Sequence, residues 1–248
     1  MSAWKCDDLV IKDSFHLQIS NLQIFKSFHD FYSMDKPVLI YCYDAYCGWC
    51  YGFSPIIKKI ADTFTGIMDT EVLSGGMILP EKPVHIKVSA NFIATAYKNV
   101  EAATGIEFGK DYLWHVLNPE ESDWYPNSEK PAIAMCIFKE FYPERAIEFS
   151  ADLQYALHYE GRDLTDNEAY LHLLEKYSIQ PEIFFNKLES EEYKEMAYYE
   201  FSLMKQLQVN AFPVVLIQTG ELKFHMVARG YTEYDALKER IENVLSEL

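Results

Sequence analysis

The sequence predicts an α/β fold, with a small mixed sheet whose strands are interrupted by a helical insertion. Three observations predict it. An apolar run, Val38-Leu39-Ile40-Tyr41-Cys42-Tyr43, hands over to a helix-periodic segment, with a Cys-x-x-Cys at the join. From about residue 84 to 190 the apolar residues recur at helical spacing. The chain then closes with two strand patterns and a helix.

Residues 1–36 read as an N-terminal appendage. Ser20 and Gln23 have capping-box spacing, and Leu22, Phe25, Phe28, Phe31 and Tyr32 follow on one helical face. Asp35-Lys36-Pro37 ends that helix and opens the buried strand. Residues 37–83 form the first part of the α/β unit. After Cys47-Gly48-Trp49-Cys50, the positions Phe53, Ile56, Ile57, Ile60, Ala61 and Phe64 make one buried helix face, which Pro55 bends. Thr70-Glu71-Val72-Leu73 reads as a second short strand, ending in the turn Ser74-Gly75-Gly76.

Residues 84–190 form the helical insertion. Val88, Phe92, Ile93, Ala96, Tyr97 and Val100 make one stripe, closed by Gly105. Trp114 to Asn127 reads as a polar, aromatic loop, and Pro131 to Tyr142 as a helix. Pro143 opens another helix, which runs to Gly161. Thr165 and Glu168 have capping-box spacing, Gln180-Pro181 starts a short helix, and Ser190 caps a long one through Leu207.

Residues 191–248 hold the second part of the α/β unit. Phe212 to Ile217 is a β-branched run opened by Pro213. Gln218 to Glu221 is a turn, and Leu222, Phe224 and Met226 alternate with Lys223 and His225, giving an antiparallel hairpin. Thr232 caps a last helix that buries Leu237, Ile241, Val244 and Leu248.

The chemistry is concentrated at the first strand–helix join. A cysteine there sits at a helix N-terminus, where unpaired N–H groups and the helix dipole favour a thiolate. A second sulfur three residues on can attack whatever the first one binds. A structural zinc site is the competing use of such a pair, but it needs four ligands. The chain has five cysteines with a single Cys-x-x-Cys, and its seven histidines are isolated. No metal and no cofactor is therefore expected. Cys42 and Cys136 read as buried, inert thiols, and Cys6 as a terminal one.

Composition bounds the setting. Lys and Arg total 22 against 38 Asp and Glu, a net charge of −16, which repels nucleic acid and anionic membranes. No stretch approaches the ~20 apolar residues of a spanning helix. The N-terminus has no basic region followed by an apolar run, so a cytoplasmic protein is expected. In that reducing setting a pair of this kind suits a catalytic or sensing disulfide better than a structural one.

Two motifs carry a resemblance. One is Cys47-Gly48-Trp49-Cys50-Tyr51-Gly52-Phe53-Ser54-Pro55 after a buried strand, and the other is Val209-Asn210-Ala211-Phe212-Pro213 opening the late hairpin. Over roughly residues 37 to 248 the chain resembles the DsbA-like branch of the thioredoxin superfamily, in particular its FrnE-like and protein-disulfide-isomerase-like members. The resemblance implies a thioredoxin-like fold with a helical insertion. It implies thiol–disulfide exchange in which Cys47 attacks and Cys50 resolves, with Gly48 and Trp49 forming the tight turn that tunes the pair. It implies a cis Pro213 beside the cysteines and a Phe212 backbone that pairs with an extended substrate. The implied partners are thiol- or disulfide-containing proteins and glutathione.

The chain departs from the family pattern in two places, and one is the Gly48-Trp49 dipeptide, which matches neither the strongly oxidising nor the strongly reducing members and leaves the direction of electron flow open. At the other, many relatives carry a buried acid six residues before the first cysteine, where this chain has Tyr41, and Asp44 lies three residues before it. Either Asp44, Tyr41 or a water takes the acid's role; packing and turn duties are the simpler reading of both. Gly75, Gly76, Met77, Trp124, Tyr125 and Asn127 border the groove in such a fold or serve as ordinary turn and packing residues. His115 beside Trp114 reads as a structural group rather than a general base. Kappa-class glutathione transferases and 2-hydroxychromene-2-carboxylate isomerases look similar but generally have a serine in place of Cys47. A redox-sensing adaptor on the same fold is the non-enzymatic alternative.

Overall fold

A computed structural model of the chain describes residues 36–248. The helix expected over 20–32 and Cys6 lie outside the described residues. Among those residues there are four strands and nine α-helices. β1 (Val38–Tyr43) leads into α1 (Gly48–Thr63) and then β2 (Asp69–Ser74). Seven helices follow: α2 (Lys87–Thr104), α3 (Lys110–Leu117), α4 (Glu129–Phe141), α5 (Ala146–His158), α6 (Glu168–Lys176), α7 (Pro181–Leu188) and α8 (Glu191–Gln206). The chain ends with β3 (Val214–Gly220), β4 (Lys223–Arg229) and α9 (Tyr234–Ser246).

The sheet runs in the order β2-β1-β3-β4. β1 pairs parallel with β2 and antiparallel with β3, and β3 pairs antiparallel with β4. Every residue of β1 is buried, because both faces of this central strand are covered. Leu39, Tyr41 and Tyr43 point into the larger core with Phe53, Ile57 and Ile60 of α1 and Leu237 and Ile241 of α9. Val38, Ile40 and Cys42 point into a smaller core with Leu203 and Met204 of α8 and Val214 and Leu216 of β3. The alternation follows from the two-residue period of a strand.

The helical block is tied to the sheet by a buried ion cluster. Lys139 of α4 donates to Glu71 of β2 and to Glu200 of α8, each at 2.6 Å. Burial alone would lower the ammonium's pKa, but Glu200 and Glu71 outweigh it and hold it raised. Cys136, one turn earlier, donates to Glu200 at 3.5 Å and is buried, as is Cys42. Burial pushes both thiols up and keeps them protonated.

Several local expectations need correction. Trp114 lies inside α3, which ends at Leu117, so the loop is shorter than its composition suggests. Thr165 caps no helix: its N–H and hydroxyl both turn back to Asp163 Oδ1, and α6 starts three residues later. Thr232 donates to the Gly230 carbonyl, and Glu233 takes the N-cap position of α9. Ser190 occupies the N-cap position of α8 without a side-chain capping bond, and α8 ends at Gln206. In the α2 stripe, Val100 is buried, but Val88 and Phe92 are 74% and 75% exposed, so the N-terminal half of that face is uncovered. In β4, His225 is buried along with Phe224, because the register shifts between β3 and β4 break strict alternation.

Candidate active site

The cysteine pair sits where β1 delivers it. After Tyr43, the Cys47 N–H donates back to the Asp44 carbonyl at 3.1 Å, forming a tight turn. Cys47 has extended geometry (φ −81°, ψ 107°) and is the N-cap of α1. Its Sγ accepts the Cys50 N–H at 3.3 Å, doing what a Ser or Asp oxygen does at other helix starts. Negative charge on this sulfur, as attacking or as leaving group, meets that donor and the positive end of the helix dipole. Cys47 is 7% exposed and Cys50 has no exposed surface, so only the first sulfur is open to a reaction partner. Among the described residues the two are free thiols.

The opposite wall comes from the start of β3. Antiparallel pairing sets Cys42 against Val214, so the residues before Val214 lie beside the turn that follows β1. The Phe212–Pro213 peptide there is cis, and the Cys47 thiol donates to the Phe212 carbonyl at 3.5 Å. The Pro213 carbonyl accepts from Gly230 at 2.7 Å, which fixes the proline against the β4–α9 connection. The parallel pairing of β1 with β2 brings Gly75 to the same end of the sheet. A Cβ on Gly75 would lie 2.1 Å from the Phe212 ring, so only glycine admits that ring. Trp49 is half-buried, its ring 6.3 Å from that of Tyr231.

Behind the pair stands Asp44, buried and fully engaged. Its Oδ2 accepts from Met77 N at 2.7 Å, and its Oδ1 from Tyr46 N and Ser128 Oγ at 3.0 Å each. Burial raises its pKa, against the pull of these donors. Gln154 of α5 donates to the Asp44 carbonyl at 3.3 Å. The Cys50 thiol is pushed well up, first by burial and then by the hydrogen bond and charge of Cys47. One residue on, Tyr51 stacks on the buried His158, which also lies 5.3 Å from Phe108 and 5.0 Å from Tyr112. Burial holds His158 neutral, its pKa down to about 3.

Cys47, Gly48, Trp49, Cys50, Phe212 and Pro213 thus converge, with Gly75 against Phe212 and Met77 joined through Asp44. The other sequence candidates are engaged with other partners. His115 stacks on the buried Trp124 at 4.0 Å and bonds Ser122 Oγ at 2.8 Å, so it is a structural group. Asn127 accepts the Glu129 N–H at the head of α4, and Tyr125 packs edge-on against His85. No cluster of three His, Cys, Asp or Glu side chains able to hold a metal exists among the described residues. Sequence reasoning missed Ser128, Gln154 and His158. Ser128 lies 84 residues from Asp44, and no local signal links the two.

Fold and site together define a thioredoxin-fold protein of the thiol–disulfide oxidoreductase class. The chain belongs to the DSBA-like thioredoxin domain family, whose model matches residues 38–242. Among solved structures it is similar to a Nitrosomonas europaea protein named as a candidate protein disulfide isomerase. That match has a TM-score of 0.75 at 22% identity, covering 86% of this chain and 99% of the other. It is also similar to the cytosolic disulfide reductase DsbM from Pseudomonas aeruginosa, with a TM-score of 0.65 at 23% identity, covering 85% and 100%. The same reductase, solved with GSH, matches with a TM-score of 0.65 at 24% identity, covering 84% and 99%. At these identities the likeness is one of fold. No curated protein matches the chain.

Proposed function

We propose that the protein exchanges disulfides with protein thiols and with glutathione through Cys47 and Cys50. Cys47 attacks one sulfur of a substrate disulfide, the new S–S bond forms, and the other substrate sulfur leaves as a thiolate. Cys50 then attacks Cys47, expels the second substrate thiol and leaves Cys47–Cys50 oxidised; the cycle also runs in reverse. Phe212 and Pro213 form the substrate wall, where the backbone of residue 212 pairs with an extended chain. The observation that carries this reading is Cys47 Sγ, which accepts the Cys50 N–H and lies against the Phe212 carbonyl. Glutathione is included because the DsbM structure was solved with GSH. A reducing, cytosolic setting fits the two buried free thiols Cys42 and Cys136, and DsbM is itself described as cytosolic. Among the described residues no helix is long and apolar enough to cross a membrane.

The test is a trap. Cys50→Ala, exposed to a native lysate, is expected to retain proteins or glutathione on Cys47 as mixed disulfides that dithiothreitol releases. Cys47→Ser is expected to retain none. An unreactive Cys47, with nothing trapped, overturns the proposal.

A further inference from the structure

Beside the cysteine turn, residues 77–100 form a lobe held at both ends, with an uncovered face between. At one end the Met77 N–H donates to the Asp44 carboxylate at 2.7 Å. At the other, Val100 of α2 packs against the first turn of α1, where a Cβ on Gly48 would lie 4.0 Å from its Cγ2. The Ile86 N–H donates to the Trp124 carbonyl at 3.0 Å, which holds the start of α2. Gly48 follows Cys47 in the chain, and Phe92 stands eight residues before Val100 on α2, about 12 Å by helix rise. Four extended residues span about 13 Å, so a chain bonded to Cys47 reaches this face.

The exposed side chains of the lobe set it apart. Val88 and Phe92 are the two most exposed large apolar side chains among the described residues, and Met77, Leu79 and Val84 are exposed as well. Single exposed apolar residues need no explanation, but five between residues 77 and 92 mark an interaction surface. Val88 and Phe92, four apart, share one stripe of α2, while Ile86, Ala90 and Val100 are turned inward. Lys87 and Lys98, eleven residues apart, share the exposed stripe beside it. The chain carries a net charge of −16, yet residues 82–100 hold three lysines and no Asp or Glu. Lys87 meets Glu120 at 3.4 Å, an exposed pair that contributes little. An apolar face edged by cations fits an apolar segment that carries carboxylates. An anionic membrane offers similar chemistry, but the charge of the whole chain opposes it.

We propose that the exposed face of α2 docks the substrate protein and selects segments in which Asp or Glu alternates with large apolar residues near the reacting cysteine. The proposal rests on the exchange reading above. Apolar side chains of the segment cover Val88 and Phe92, and its carboxylates face Lys87 and Lys98. Docking adds no chemical step: Cys47 Sγ bonds to the substrate sulfur and the other sulfur leaves as a thiolate. The face raises the local concentration of the sulfur that Cys47 attacks.

Peptides carrying one cysteine as a mixed disulfide with thionitrobenzoate, mixed with the reduced full chain, read docking as the rate of colour release. A peptide in which Glu alternates with Leu is expected to react about tenfold faster than one with Lys and Leu, and than one with Glu and Ser. Phe92→Ser is expected to lose the advantage of Leu over Ser. Lys87→Glu combined with Lys98→Glu is expected to lose that of Glu over Lys. In the wild type this second advantage fades at about 1 M salt, where the screening length is about 3 Å. All variants are expected to reduce the small, uncharged hydroxyethyl disulfide at the wild-type rate. Equal rates for the three peptides overturn the proposal and leave the exchange reading standing. No reaction of the wild type with hydroxyethyl disulfide overturns both. A dimer that Phe92→Ser splits would assign the face to a second copy. Binding to phosphatidylserine vesicles that Phe92→Ser abolishes would assign it to a membrane. A melting temperature lowered by Phe92→Ser would show that the chain covers the face itself. Each of these three outcomes overturns the proposal.

Discussion

Phe212 is seated where a side chain on residue 75 would have to be. A Gly75→Ala Cβ would meet three atoms of the ring at 2.1 to 2.7 Å, and the ring must shift. The Phe212 carbonyl is the partner of the Cys47 thiol, so that shift reaches the sulfur. Gly75→Ala is expected to slow Cys47 exchange roughly tenfold through misplacement, with little loss of stability. Stopped-flow thiol exchange alongside urea unfolding checks this, and unchanged exchange kinetics would refute it. At this scale the sequence was legible wherever function is local. Cys47 and Cys50 declare themselves by spacing within one helical turn, and Phe212 and Pro213 were reached through resemblance. The contact of Gly75 with Phe212 depends on β2 and β3 flanking β1 with these ends together, across 137 residues, which no local pattern encodes.

Between elements, α1 and α2 approach through Gly52. A Cβ there would lie 2.8 Å from both Val100 Cγ1 and Thr104 Cγ2, the β-branched end of α2. Such branched side chains have little freedom to yield. Gly52→Ala is expected to destabilise the fold by about 1–3 kcal/mol, as overpacking does. A urea midpoint shift at constant slope measures it, and an unshifted midpoint would show that the helices can part freely. β1, α1 and α2 were legible because each has a strong apolar period or a clear end signal, Gly105 among them. α3 was not, since eight residues starting at Lys110 make only about two turns, too short a run for a clear period. The caps at Thr165 and Thr232 failed for a common reason. Short hydroxyl side chains also satisfy nearby backbone or turn groups, and here those partners won.

For the molecule as a whole, the buried His158 links folding to pH. In the unfolded chain a histidine binds its proton near pH 6.5, but in the folded protein only near pH 3. Between those values the unfolded state holds more protons, so stability is full above about pH 6.5 and is lost as pH falls toward 3. His158→Leu is expected to flatten the stability–pH curve by about 1.4 kcal/mol per pH unit inside that window. Chemical unfolding at several pH values between 7 and 4 reads it, and parallel curves for the two proteins would disprove it. The α/β class and the helical block between β2 and β3 were legible from the change of period along the chain. The docking of α4 and α5 onto the turn after β1 was not, because it rests on Ser128, Gln154 and His158, polar residues with no partner nearby in sequence.

The carboxylate of Asp44 also orders events during assembly. Of its three donors, Tyr46 is two residues away, Met77 is 33 and Ser128 is 84. A carboxylate gives up its water only when protein donors replace it, and distant contacts form after near ones. A nascent chain that has made β1 and α1 therefore has its two cysteines in sequence but not yet their dry backing. The sulfur pair acquires its finished surroundings only when the head of α4 arrives, well after the motif itself has left the ribosome.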